Sequence, residues 1–463
     1  MKFEYTTDAV VPPMPPMPSD QVSGLQLLSA LRQNAYCAFP PRCLDEPIVK
    51  LWAAGQIFIL SCAPEAIRHV MMTQAEDYAR LPFGRRILGP IIGRGLALSE
   101  GEAWRRQRRA MAPAFTPRNV SIMARHIIHC TDVAVRRLEQ SGGTKIDMLR
   151  EMQTLSLEIA ATSMFSLETS AFGSELRRMV SEYMNTMGRM SPIDILLPDG
   201  VPTLTRARRA LFRRRWIRLI HSMIEARRAA GLAAGGARDL FDLLSEAHGP
   251  DDEDLLADEV STMIVAGHEA TALTLFWMCT LLAKAPQWQT ALATEASRLD
   301  LSVEGAVESL PKLVLAPAVV QETLRLYPPV FMTGRLAKQS REICGTTVPK
   351  GSMIFFPFWL LHRSPRLWAK PATFDPSRFL SGAEQDRFAY LPFGIGQRVC
   401  IGAQLAMSEA TLAIALLAQK FTLAIKGDRP VLPVGTLTTR PDHAPAFVLQ
   451  VRETSSPQCK ICR

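Results

Sequence analysis

The chain has 463 residues, 48% of them hydrophobic and 21% charged, a balance that excludes a disordered chain and provides for a large buried core. Lys and Arg (53) outnumber Asp and Glu (44), giving a net charge of +9, but the arginines at 105, 106, 108 and 109, and those from Arg206 through Arg208, Arg209, Arg213, Arg214 and Arg215 to Arg218, match no nucleic-acid module, so no nucleic-acid partner is expected. The nine cysteines are odd in number and irregularly spaced, which excludes a disulfide framework and fits a reducing compartment.

The first twenty residues, with the run Val11-Pro12-Pro13-Met14-Pro15-Pro16-Met17-Pro18, are too proline-rich for a helix and carry neither a signal-peptide core nor a membrane span. The expectation is a disordered leader over residues 1–20 and a single domain over 21–463, cytoplasmic and without a transmembrane anchor. Residues 25–31 read as a short helix, residues 48–60 as a hairpin turning at Ala54-Gly55, and Pro64 as the start of another helix. From residue 103 to 278 helical periodicity dominates, interrupted at Pro117, at residues 192–202 and at the glycines of 231–236. Residues 330–358 and 421–451 mix Pro, Gly and β-branched residues and predict small sheets, and a long apolar helix runs from about Ile401 to Lys420. No internal repeat is visible. The terminal Cys459-Lys460-Ile461-Cys462 has metal-site spacing, but a tetrahedral zinc site needs two more ligands and none lies near in sequence, so no metal is assigned there.

Five segments carry the candidate chemistry. Trp104 and Arg108 stand at i and i+4 on one side of a helix. Ala266-Gly267-His268-Glu269-Ala270-Thr271 lies within a helical run over residues 255–282, where Gly267 would loosen the helix and make room for a ligand. Glu322 and Arg325 are opposite charges three apart, followed by Tyr327-Pro328-Pro329 and then by Thr333-Gly334-Arg335. Phe374-Asp375-Pro376-Ser377-Arg378-Phe379 follows. Finally, Phe393-Gly394-Ile395-Gly396-Gln397-Arg398-Val399-Cys400-Ile401-Gly402 puts one cysteine in a glycine-bent loop before a helix. Its glycines permit tight bends and close approach of a flat ligand, and the positive helix end would stabilise a thiolate.

Together these segments resemble the cytochrome P-450 superfamily over nearly the whole chain. The resemblance implies a mainly α fold with small β-sheets, holding haem b (iron protoporphyrin IX) between a long central helix and the helix that follows the cysteine loop. Cys400 would be the axial thiolate, and Phe393, Gly394 and Gly402 would shape its loop. Trp104, Arg108, Arg398 and Arg335 would face the haem propionates, the guanidinium fork matching a carboxylate. Glu322, Arg325 and Arg378 would form a buried triad that locks the approach to the cysteine loop.

The resemblance also places dioxygen beside Glu269, Ala270 and Thr271. The family pattern carries an acid followed by an alcohol, a pair that delivers protons during oxygen activation; Glu269 keeps the acid, whereas Ala270 replaces the alcohol. Thr271 comes one position late, rotated by about 100° around the helix. The implied activity is a haem-thiolate monooxygenase inserting one oxygen atom from O2 into a lipophilic small molecule, such as a fatty acid or terpenoid. Its electrons would come from a separate ferredoxin or flavodoxin with its NAD(P)H reductase, met by Arg105, Arg106 and Arg109. Substrate would be framed by residues 85–98, 190–204, 263–270 and 330–333. The alternatives are a haem protein that holds ligands without turnover, or an enzyme of oxidative coupling or dehydrogenation.

Overall fold

A computed structural model describes residues 10–20, 23–53, 55–141, 145–166, 172–189, 194, 201–230, 239–248, 252–380, 382 and 386–452. The expected C-terminal CxxC, the glycines of 231–236 and most of residues 190–200 lie outside the described residues.

The fold is organised around one helix, Glu253–Lys284, here the central helix. Asp252 caps its start by accepting the Leu255 amide at 3.2 Å, Glu253 and Asp254 occupy the positive first turn, and Lys284 sits in the negative last turn. Its apolar residues are not confined to one stripe, so it is buried on nearly all sides. By length and composition it could cross a membrane, but 83% of its most apolar window is buried inside this fold, which makes it the core helix.

Three apolar clusters make up the core, two of them built on this helix. The C-terminal half of the central helix packs with the cysteine helix, Ala403–Lys420, and with the helices Pro117–Gln140, Pro286–Ala296 and Leu315–Leu326. Its N-terminal half packs with Pro82–Ile92 and Leu204–Ala229. The third cluster lies under a five-stranded sheet of β1 (Val49–Ala53), β2 (Gln56–Leu60), β8 (Met353–Phe356), β5 (Thr333–Ala337) and β3 (Tyr78–Arg80), in that order.

β1 and β2 form the expected hairpin, with Gly55 at φ +77° in its turn. β2 and β8 run parallel; β8–β5 and β5–β3 are antiparallel, and the last pairing sets Arg335 opposite Arg80. Three smaller sheets complete the fold: β4 (Ile146–Asp147) with β12 (Ala446–Val451) and β9 (Phe421–Lys426), the pair β6 (Arg341–Ile343) and β7 (Thr346–Val348), and the pair β10 (Pro433–Gly435) and β11 (Thr439–Pro441).

Three local readings differ from expectation. Pro117 does not interrupt a helix but occupies the first position of a 24-residue one, where its missing N–H is not needed. The cysteine helix starts at Ala403, with Gly402 at its N-cap. The leader is not loose from residue 10 onward: Pro12 and Pro15 are buried, and the Val10 carbonyl accepts the Phe374 amide at 2.9 Å.

Candidate functional site

The cysteine loop is closed by its own backbone, the Cys400 amide donating to the Phe393 carbonyl at 2.9 Å. Gly394 and Gly396 adopt φ +71° and +76°, and a Cβ on Gly396 would stand 2.5 Å from the Met71 carbonyl oxygen, so glycine is required there. Phe393 packs against the core of the cysteine helix. Cys400 is exposed by surface yet enclosed by protein on most sides, so it lines an internal recess. Burial pushes its thiol up, opposed by the Gly402 backbone and by Arg108. A cation bound at the sulfur would reverse that balance.

The central helix carries a strip that is less buried than the rest of it. Ala266 is exposed, and Gly267 and Ala270 are partly so, in a stretch whose other residues from Leu256 to Leu282 are buried. Ala266 and Ala270, one turn apart, thus present a small apolar opening inside the fold. A Cβ on Gly267 would meet Met164 Cε, the end of a flexible side chain on the neighbouring helix Met148–Phe165, at 2.7 Å.

Four arginines gather at the rim. Arg398 lies over Trp104, its guanidinium carbon 4.1 Å from the ring centroid, and donates to the Ser99 carbonyl at 2.9 Å. Arg108 lies 5.8 Å from the same ring and donates to the Val399 carbonyl at 3.0 Å. Arg335, on β5, donates to the Gly334 carbonyl at 2.8 Å. Arg80, not foreseen from the sequence, reaches the group through the β3–β5 register and donates to the Ala97 carbonyl. Burial and the neighbouring arginines, Arg80 first among them, pull Arg335 and Arg398 down to about 10; Glu100 is the acid that opposes this. Like charges concentrated at one place fit an anionic ligand group. With Cys400 and the Ala266/Ala270 opening, the residues present fit a flat, carboxylate-bearing macrocycle ligated by sulfur.

Below the cysteine loop the structure brings Glu322, Arg325 and Arg378 together. Arg325 grips both Glu322 oxygens, Nε to Oε2 at 2.6 Å and Nη2 to Oε1 at 2.8 Å. Its remaining donors go to the carbonyls of His362, Pro371 and Thr373 at 2.7, 2.7 and 3.0 Å. Glu322 Oε1 also accepts Arg378 Nε at 3.3 Å and the Asp375 amide at 2.8 Å. A pair with no exposed surface is satisfied in this way by the segment leading to the loop.

Glu269 turns toward a partner that sequence reading missed. Its Oε1 accepts Arg440 Nε at 2.8 Å and the Thr438 hydroxyl at 3.2 Å, both from the β10–β11 hairpin, while Arg440 Nη1 continues to Asn185. Trp277 secures the hairpin, donating to the Thr439 carbonyl at 3.0 Å and stacking on Tyr327 at 3.9 Å. Thr271 is buried, and among the described residues no hydrogen bond engages its hydroxyl. The Ala270 carbonyl accepts a back-bond from Thr274 at 2.9 Å. His268 is fully buried with both ring nitrogens unpartnered, and burial pushes it down to about 4, so it is neutral.

Of the expected substrate-framing segments, residues 85–98 are pinned to the central helix. Asp258 accepts the Arg94 amide at 2.7 Å and Arg213 at 2.6 Å, and Glu259, pushed up to about 8 by burial, accepts the Leu96 amide at 3.0 Å. Arg105, Arg106 and Arg109 lie exposed on the helix Gly101–Met111, with Arg105 paired to Glu102 at 3.3 Å.

The comparisons with known proteins bear on this arrangement as a whole. The family model described as Cytochrome P450 matches residues 31–444. The chain is 33% identical to the cyclooctat-9-en-7-ol 5-monooxygenase of Streptomyces melanosporofaciens, over 79% of this chain and 80% of that one. It is 30% identical to a cytokinin hydroxylase of Arabidopsis thaliana, over 78% and 72% respectively. Among solved structures, the retinoic acid-bound cyanobacterial CYP120A1 aligns with a TM-score of 0.78 at 23% identity, covering 96% of this chain and all of that one, which speaks to the fold.

Proposed function

The chain belongs to the cytochrome P450 family and is a haem-thiolate monooxygenase, and we propose that it inserts one oxygen atom from O2 into a lipophilic small molecule of fatty-acid or terpenoid type, with Cys400 as the residue whose sulfur would hold the haem iron. The observation that carries this reading is the pairing of Cys400, lining an internal recess, with the open Ala266/Ala270 strip of the otherwise buried central helix. When bound, the haem supplies oxygen activation, its thiolate ligand pushing electron density that favours O–O cleavage.

The chain's own residues would then divide the work. Cys400 holds the cofactor by its sulfur, and Arg108, Arg335 and Arg398 hold its carboxylates, with Trp104 beneath Arg398. The Glu322/Arg325/Arg378 network fixes the loop that presents Cys400. Glu269 is anchored by Arg440, and Ala270 carries no hydroxyl, so the proton needed beside the oxygen site comes from ordered water or from a polar group on the substrate. Substrate would meet apolar surface at Val330 and Leu437. The names of two relatives, one for a cytokinin and one for cyclooctat-9-en-7-ol, support a small organic substrate of this kind.

Electrons would arrive from a ferredoxin or flavodoxin with its NAD(P)H reductase, the exposed Arg105, Arg106 and Arg109 steering an acidic partner in the cytoplasm. A library of apolar acids, terpenoids and their alcohols, screened for haem spin-state change and then for product with reconstituted electron donors, tests the proposal. Saturable spectral shifts with oxygenated product are expected. Saturable binding without product across partners would favour a ligand-holding protein.

A further inference from the structure

Among the described residues, the hydrogen bonds of Glu322 and Arg325 reach no further along the chain than Arg378, well short of Cys400. One of them lands on the carbonyl of His362, and His362 carries the contact onward. Its ring Nε2 accepts the Leu391 amide at 2.8 Å. The Leu391 carbonyl in turn accepts the Gly394 amide at 3.1 Å, at the entry to the cysteine loop. Between Leu391 and Phe393 stands Pro392, whose ring fixes its own φ and disfavours a helical residue before it. A direction set at Leu391 is therefore passed on to Phe393, whose carbonyl holds the Cys400 amide.

His362 has little freedom. It follows the short helix Phe358–Leu361, donates its own amide to the Phe358 carbonyl at 2.9 Å, and has no exposed surface. Its ring stacks near Phe358 with centroids 6.3 Å apart and lies 5.4 Å from the ring of Tyr390, whose hydroxyl donates to the Gln321 carbonyl at 2.8 Å, beside Glu322. Because Nε2 accepts from a backbone N–H, it is the unprotonated nitrogen, and the ring proton sits on Nδ1, which has no partner among the described residues. A buried imidazole with one nitrogen unsatisfied is costly as mere core filling. What the ring supplies is an acceptor aimed at one amide. Burial, with Arg325 and Arg363 nearby, pushes it down to about 3, so it stays neutral and keeps that acceptor.

We propose that His362 is a positioning residue for the cysteine loop: its carbonyl holds the Arg325 guanidinium and its ring nitrogen holds the Leu391 amide, so the buried triad sets the direction in which residues 391–400 leave the core. The triad then acts on the sulfur through His362. This rests on the reading of Cys400 as the residue that holds the haem iron.

The test uses the haem-loaded protein and no turnover. Amide hydrogen exchange over residues 388–400 and the spectrum of the reduced, carbon monoxide-treated protein are compared in wild type, His362→Phe, which keeps a flat ring without an acceptor, and His362→Gln, which can bring an amide oxygen to the place of Nε2. Urea unfolding is followed in parallel. His362→Phe should exchange the Leu391 amide roughly tenfold faster or more and pass most of the red-shifted Soret band to the unshifted band of a haem without thiolate. His362→Gln should return both toward wild type, even where its unfolding midpoint matches that of His362→Phe. If His362→Phe does not fold, His362→Asn, whose oxygen stands near Nδ1 and stops short of Nε2, takes its place. A His362→Phe protein with wild-type exchange and spectrum, equal losses in His362→Phe and His362→Gln, or losses that follow the unfolding midpoint and not the acceptor, overturn the proposal. A wild type that itself lacks the red-shifted band would fault the Cys400 reading instead, and exchange at Leu391 would then decide on His362 alone.

Discussion

Arg440 holds the Glu269 carboxylate by two nitrogens, Nε at 2.8 Å and Nη2 at 2.6 Å, across 171 residues of sequence. The acid of the oxygen motif is thereby fastened to the β10–β11 hairpin and does not hang free toward the Ala266/Ala270 opening. Arg440→Leu would leave a carboxylate that is 2% exposed without its cation, at a cost of about 3–5 kcal/mol. Urea unfolding should show that loss, and Arg440→Lys, which keeps the charge but not the fork, a smaller one. Equal stability of Arg440→Leu and wild type would mean that the pair contributes nothing.

Glu322 accepts from Arg325, Arg378 and the Asp375 amide at once, so removing it strands two guanidinium groups. Glu322→Ala is expected to lose about 3–5 kcal/mol and to be recovered largely without haem. The haem-to-protein absorbance ratio and the melting temperature check both parts. A fully loaded variant that melts like wild type would separate the triad from the haem site.

The buried His268 gives the acid side of the stability profile. Burial lowers its folded-state value to about 4, below the ordinary 6.5, so between these values the unfolded chain binds more protons than the folded one. The stabilisation is present above about 6.5 and is lost as pH falls toward about 4, by up to roughly 3 kcal/mol. Thermal melts should show a shallower acid limb in His268→Phe. An identical limb in the two proteins would assign acid sensitivity elsewhere, for example to His362, which burial and Arg325 push down to about 3.

Ala270 lies on the open face of the central helix, whereas Thr271 is buried. If water or a substrate hydroxyl supplies the missing donor, Ala270→Thr should change product formed per reduced nicotinamide consumed, and a substrate analogue lacking its polar group should uncouple the wild type. Thr271→Ala should alter coupling little. Collapse of coupling in Thr271→Ala alone would move the proton route to Thr271.

How far these features could be read from the sequence depends on the range of the interaction behind them. The cysteine loop is legible because its glycines, Arg398 and Cys400 act within ten residues, and the Glu322–Arg325 pair because it spans one helical turn. Arg80 enters the arginine group through strand register with Arg335, and Arg440 meets Glu269 through a hairpin placed by Trp277; neither relation has a local signature. Pro117 was ambiguous for another reason, since proline both breaks a helix interior and favours a helix start. Gly267 meets Met164 of the adjoining helix, another contact with no local signature.

The account stands or falls on the sulfur of Cys400. The most direct measurement is the spectrum of the reduced, carbon monoxide-treated protein for wild type and Cys400→Ala, each with its haem content determined. The wild type should show the strongly red-shifted Soret band of a haem thiolate, and Cys400→Ala should lose it. An unchanged red-shifted band in Cys400→Ala would assign the ligand to another residue and contradict the account.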